Sequence, residues 1–266
     1  MSDAVSSAEI LKVREGFTAF VEKVTKCWST DAVITELMDL REYTSQEMFN
    51  TLKEVGVFKV DSLSDLTYFA PESTENLQKW GLLTSTGEFI LKGRYIVPIR
   101  DICSDVTALV GWYPDNRKYI TTPSFGFTRD AQFFNIECFE SCMKNDGGTV
   151  FLVEGIFDTL ALRSLKFSAL GNMGLDLSAI KVQILKRFGK VIAIPDNDTA
   201  GKSVNPYCNR FTNKSKRSPW NIENEVVFVG LPAGVKDVDD FIKYFDCYDD
   251  LLSCKDSRYF KKLKED

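Results

Sequence analysis

The sequence contains no histidine. That removes the commonest general base and every Cys/His zinc centre, so chemistry here has to run on carboxylates, lysines, hydroxyls or a bound cation. Cysteine is present but unorganised. Of seven, the closest pair is Cys138 and Cys142, too wide for a redox Cys-x-x-Cys and without a second pair beside it. Structural thiols are the expectation. No apolar run approaches the length needed to cross a bilayer, and Met1-Ser2-Asp3-Ala4 lacks the basic and apolar regions of a secretory signal, so no membrane partner and a cytoplasmic setting are expected. Net positive charge is also missing. A formal charge of -5 argues against coating nucleic acid by bulk charge, but leaves room for a local basic groove.

What is present is an ordinary soluble composition, 44% hydrophobic and 27% charged over 266 residues, enough for a sizeable core and two domains. The chain is organised around residues 148–201. Thr149-Val150-Phe151-Leu152-Val153 is short, β-branched and aromatic, which predicts a buried strand, and Leu160, Leu162 and Leu165 suit a helix behind it. Glu154 then stands at the carboxyl end of a strand, where open α/β sheets carry their sites. Lys190-Val191-Ile192-Ala193-Ile194-Pro195 repeats the pattern and closes on Asp196-Asn197-Asp198-Thr199-Ala200-Gly201. Val226-Val227-Phe228-Val229-Gly230 follows, leading to Lys236-Asp237-Val238-Asp239-Asp240. Three apolar strands thus deliver acid to one edge.

Around this core, Ile10, Val13, Phe17, Phe20, Val21 and Val24 recur at helical spacing, and Ser29-Thr30-Asp31 can cap a second helix. Residues 1–45 are therefore read as a helical segment for packing or docking. Residues 46–147 are read as a small α+β subdomain: helices opened by Ser45-Gln46-Glu47 and Ser73-Thr74-Glu75, then strands at Tyr95–Ile99 and Val106–Trp112. Pro98 should put its strand at an edge or a local distortion. Between Pro114 and Arg129, cations alternate with aromatics and hydroxyls, which suits a surface that holds a backbone and stacks bases. A compact domain of mostly parallel sheet flanked by helices spans 148–246, with a helix over 177–186 and a basic stretch from Lys202 to Pro219; residues 247–266 form a charged tail. The fold class is α/β.

Asp196 and Asp198, two residues apart in a bendable Asn/Gly context, can face one ion, and a divalent cation is the simplest way to keep such close carboxylates charged. Glu154 could complete that shell or take a proton from an attacking hydroxyl. Asp237 and Asp239 could hold a second ion, giving two cations about 3.5 to 4 Å apart around a transferring phosphate. One Asp-Asn-Asp-x-x-Gly is common turn chemistry. Three acidic strand ends in one sheet favour a metal site.

At these residues the sequence resembles a known family. Val153-Glu154-Gly155-Ile156-Phe157-Asp158, Asp196-Asn197-Asp198-Thr199-Ala200-Gly201 and Lys236-Asp237-Val238-Asp239-Asp240-Phe241 look like the three motifs of a Toprim domain, and Leu170-Gly171-Asn172 sits where primases of this type carry a glycine turn. Trp80-Gly81-Leu82-Leu83, Gly93-Arg94-Tyr95-Ile96-Val97-Pro98-Ile99-Arg100-Asp101 and Arg117–Pro123 are similar to the region leading into the Toprim domain of DnaG-type primases, bacterial or phage.

The resemblance implies a DNA primase that makes RNA primers on single-stranded DNA from ribonucleoside triphosphates. Glu154 would be the catalytic acid. Asp196 and Asp198 would bind Mg²⁺ or Mn²⁺, with Asp237 and Asp239 assisting, and Arg94, Lys118, Arg129 and, more weakly, Lys236 would guide template or nucleotide phosphates. Two features depart from the family: the Asp101–Asp105 turn has no glycine, and Lys202–Trp220 lacks a regular helix pattern. With no zinc-binding cluster and little sequence after Asp246, a compact phage or mobile-element primase in host cytoplasm is expected, served by a separate zinc-domain or initiation partner and a replicative helicase. The alternatives are a Toprim nuclease and a non-catalytic Toprim module that binds nucleic acid or regulates.

Overall fold

The computed structural model describes residues 7–115, 119–122, 130–174, 177–196, 225–231 and 234–244. The chain divides into two compact units, one up to residue 127 and one from residue 128 onward.

The first unit is built by capped helices closing over an antiparallel sheet. Helices α1 (Ser7–Trp28), α2 (Asp31–Arg41), α3 (Gln46–Val55), α4 (Leu63–Phe69) and α5 (Thr74–Lys79) surround strands β1 (Phe58–Val60), β2 (Arg94–Arg100), β3 (Val106–Trp112) and β4 (Tyr119–Thr121), paired in the order β1-β2-β3-β4. Thr30, Ser45, Ser62 and Ser73 each accept a hydrogen bond from the backbone amide three residues on, which satisfies an otherwise orphaned donor and fixes where α2 to α5 begin. The apolar stripe of α1 (Phe17, Phe20, Val21, Val24) is buried with Phe58, Trp80, Leu82, Ile96 and Leu109 in one core.

Pro98 lies in β2, an interior strand, yet does no harm there. β1 ends its pairing at Ile96, and Leu109 opposite Pro98 turns its amide and carbonyl toward Thr122. The missing proline N–H therefore falls where no strand needs it, and a register irregularity follows between Ile99 and Arg100. The glycine-free turn after β2 is organised by Asp101, whose Oδ1 accepts from the amides of Cys103 and Asp105 at 2.9 and 3.1 Å while Ser104 takes φ 69°.

The second unit is the parallel-sheet domain. Strands β5 (Thr149–Val153), β6 (Ala169–Gly171), β7 (Lys190–Ala193) and β8 (Glu225–Phe228) pair in the order β6-β5-β7-β8, all parallel, with α6 (Phe139–Asn145), α7 (Ile156–Ser164), α8 (Ala179–Leu185) and α9 (Val238–Tyr244) around them. Strand alternation explains the two cores. Phe151, Val153 and Ile192 pack with Leu162, Val238 and Phe241; Val150, Leu152 and Val191 pack with Cys142, Val182 and Leu185 on the other face. Burial also pushes the Cys138 thiol up to about 12, as suits a structural cysteine. Because the strands are parallel, β5 and β7 bring Glu154 and Asp196 to the same sheet edge.

Gly171, at the end of β6, is required by close approach. A Cβ there would come within 2.6 Å of Thr159 Oγ1 and 3.1 Å of the Gly155 carbonyl oxygen. Gly171→Ala is expected to destabilise the protein by about 1–3 kcal/mol in urea denaturation. A wild-type midpoint would show that the α7–β6 approach is slack.

Candidate metal centre

The centre is assembled by three chain reversals at the carboxyl edge of the sheet. After β5 the chain passes Glu154 and enters α7 through Gly155. This N-cap is extended, at φ -102°, so glycine is needed for space and not for dihedral freedom: a Cβ would lie 2.3 Å from Asp158 Oδ2. Asp158 is the pivot of the site. Only 6% exposed, it accepts from the Gly155 amide through Oδ2 at 3.1 Å and from the Asp239 amide through Oδ1 at 2.9 Å. One carboxylate thus ties the strand end carrying Glu154 to the start of α9.

Asp237 precedes α9 and caps it, its Oδ1 accepting from the Asp240 amide at 2.8 Å. Its Oδ2 pairs with Lys236 Nζ at 2.9 Å. Asp239, 3% exposed, lies 3.3 Å from Lys243 Nζ, which is also 3.2 Å from Asp240. Carboxylate oxygens of Asp237, Asp239 and Asp240 come within 4.8 Å of one another.

Asp196 follows β7, and its amide points at Glu154 Oε1 at 3.4 Å. Its own carboxyl is pushed up to about 8, first by burial and then by the negative charges of Asp158, Glu154 and Asp237, with Lys236 offsetting part of the effect. The Lys236 ammonium is shifted upward in turn, chiefly by its hydrogen bond to Asp237, against burial. Asp196 resists ionisation, and the acids gathered around it offer carboxylate oxygens, which is the donor chemistry of a hard divalent cation such as Mg²⁺ or Mn²⁺.

Of the residues expected from sequence, Glu154, Asp196, Asp237 and Lys236 come together here, and Asp239 adjoins them through the Asp158 bond. Arg94 belongs to the first unit, at the start of β2, with its guanidinium 5.4 Å from the centroid of the Tyr113 ring. Asp198, Lys118, Arg129 and the Lys202–Trp220 stretch lie outside the described residues. Two acids absent from the expected set belong to the centre: Asp158 and Asp240. Each carries a sequence signal, an acid at the third helical position behind a capping residue, Gly155 in one case and Asp237 in the other.

Residues 151–242 match the Toprim-like family. No curated protein sequence matches the chain. Among solved structures, the DnaG primase catalytic domain bound to single-stranded DNA is similar with a TM-score of 0.68 at 19% identity, over 96% of this chain and 80% of that one. The Aquifex aeolicus primase, zinc-binding and RNA polymerase domains together, gives 0.70 at 22%, over 91% of this chain and 60% of that one. The RNA polymerase domain of Mycobacterium tuberculosis primase DnaG gives 0.68 at 18%, over 98% and 84%. The fold is that of a DnaG-type primase catalytic core with a Toprim domain. Glu154, Asp158, Asp196, Asp237, Asp239 and Asp240 all lie within the matched span.

Proposed function

We propose that this chain synthesises RNA primers on a single-stranded DNA template, by cation-assisted nucleotidyl transfer at the Toprim acids. The observation that carries this reading is the crowding of Asp196 by Asp158, Glu154 and Asp237 at one edge of a parallel sheet. The fold shared with DnaG catalytic cores supports it. When bound, Mg²⁺ or Mn²⁺ would neutralise charge on the phosphate oxygens during in-line displacement. Asp196 and Asp198 would hold it, with Asp237 and Asp239 assisting. Glu154 would accept the proton of the primer 3′-hydroxyl as that oxygen bonds to the α-phosphorus, and the bond to the β-phosphate oxygen breaks to release pyrophosphate. No protein nucleophile is needed.

Arg94, Lys118 and Arg129 would hold template and nucleotide phosphates as point or fork cations, and Lys236 would meet phosphate once the cation relieves Asp237. A replicative helicase and a separate zinc-bearing initiation protein would be the natural partners, in host cytoplasm if the source is a phage. Among the described residues no helix is long and apolar enough to cross a membrane.

The test is de novo synthesis on single-stranded DNA with labelled ribonucleotides and Mg²⁺ or Mn²⁺. Product should form only with the cation and fall at least about 100-fold in Glu154→Gln. Folded wild-type protein that binds DNA yet makes no RNA, even on a primed template, would leave the binding-module reading. The ion pairs Lys243 forms with Asp239 and Asp240 are the feature that favours that reading.

A further inference from the structure

The proposed reaction leaves unused a lysine with almost no surface. Lys181, on α8, is 1% exposed. Burying an ammonium is costly unless its donors are satisfied, so the position is informative: packing alone would be served by an aliphatic residue. The Lys181 Nζ donates to the backbone carbonyl of Asn172 and, at 2.9 Å, to Asn172 Oδ1, and stands 5.2 Å from the centroid of the Phe133 ring. Asn172 is itself fully buried and immediately follows β6.

From Asn172 the bonds run to the first Toprim motif. The Asn172 amide donates to the Val153 carbonyl at 2.8 Å, and the Met173 amide donates to the Glu154 carbonyl at 2.9 Å. The Asn172 Nδ2 donates to the Gly174 carbonyl at 2.6 Å, closing the turn on itself. Met173 holds φ 56°, a left-handed conformation that a side chain other than glycine adopts when its surroundings impose it. Asn172 carries both the bonds to Lys181 and the amide bond to Val153, next to the main chain of Glu154.

We propose that Lys181 is a positioning residue for Glu154: it pins the Asn172–Met173 turn, and that turn fixes the backbone from which the Glu154 carboxylate projects. This rests on the reading of Asp196 as a cation ligand, because Glu154 stands against Asp196 and a displaced Glu154 disturbs that site. Supports of this kind around metal sites change affinity by about 10–100-fold when removed.

Lys181→Met keeps the length and apolar stem and removes the donor. Leu185→Ala, at a buried position of the same helix, serves as the control for general destabilisation. Two quantities are read on the full chain: hydrogen exchange of the Asn172 and Met173 amides by NMR, and Mn²⁺ affinity by electron paramagnetic resonance. Lys181→Met should accelerate both amides at least tenfold and weaken Mn²⁺ binding about tenfold. Leu185→Ala should leave Mn²⁺ affinity within about twofold. Wild-type exchange in Lys181→Met, or an equal Mn²⁺ loss in Leu185→Ala, overturns the proposal. If the wild-type protein binds no Mn²⁺ that Asp196→Asn removes, the cation reading fails separately, and the exchange result alone decides whether Lys181 holds the turn.

Discussion

Asp196→Asn is expected to stabilise the metal-free protein while removing RNA synthesis. The two effects have one cause. The folded Asp196 carboxyl is raised to about 8 from 3.8, by burial and by Asp158, Glu154 and Asp237. A carboxyl raised on folding keeps its proton in the native state while the unfolded chain has released it, so its stability contribution is full below about pH 4 and is lost as pH rises toward 8. Asparagine removes that slope. The gain should be near zero at pH 4, grow through neutrality and level off above pH 8, on the order of 3 kcal/mol after allowance for the water that reaches this partly exposed side chain. Urea denaturation at several pH values, in chelator, measures it. Added Mn²⁺ should reverse the order, because the cation stabilises the ionised wild-type cluster and finds a weaker site in the variant. RNA synthesis should fall at least about 100-fold. A pH-independent difference, or a destabilised variant in chelator, would mean that neither burial nor the neighbouring acids raise the Asp196 carboxyl.

Asp158→Ala should act in the opposite direction on stability. Its carboxylate receives the amides of Gly155 and Asp239 in a buried setting. Losing it leaves two donors to be satisfied by water or not at all, at about 1–3 kcal/mol each. The same change removes a negative charge beside Asp196, which relieves repulsion where Asp196 is ionised, at about pH 8 and above, and would mask part of the loss there. Near pH 5, where Asp196 is protonated, the masking disappears and the full destabilisation should show in urea. Asp158→Asn keeps one acceptor and should lose less. An alanine variant as stable as wild type at pH 5 would remove Asp158 from its place as the tie between the first and third motifs.

The two central strands of the parallel sheet were legible because each is an apolar run that leads to an acid, Thr149–Val153 to Glu154 and Lys190–Ile194 to Asp196, whereas β6, three residues followed by Asn172, carries no such pattern. Helix starts were legible where a serine or threonine caps, as at Thr30, Ser45 and Ser73, whereas the helix expected over 177–186 begins only at Ala179, behind Ser178 as its cap. What sequence pattern could not supply was the surroundings of single polar residues. Asp158 sits in a helix so apolar that it passes for a surface position, yet it is buried and bonded to a residue 81 positions away. Lys181 likewise lies among Ile180, Val182 and Ile184, and only the fold brings it onto Asn172. Pro98 shows the same limit from the other side: its tolerance depends on where β1 ends, which no local pattern states.

If the acidic edge of the sheet extends an RNA chain, primer extension will show it. An RNA primer labelled at its 5′ end is annealed to single-stranded DNA and incubated with ribonucleoside triphosphates and Mn²⁺. Bands longer than the primer by whole nucleotides, absent with chelator and in Asp196→Asn, are the expected result. Cation-dependent shortening of the primer would mean that the same acids serve hydrolysis. An unchanged primer, with DNA bound and the protein folded, would contradict catalysis at this site.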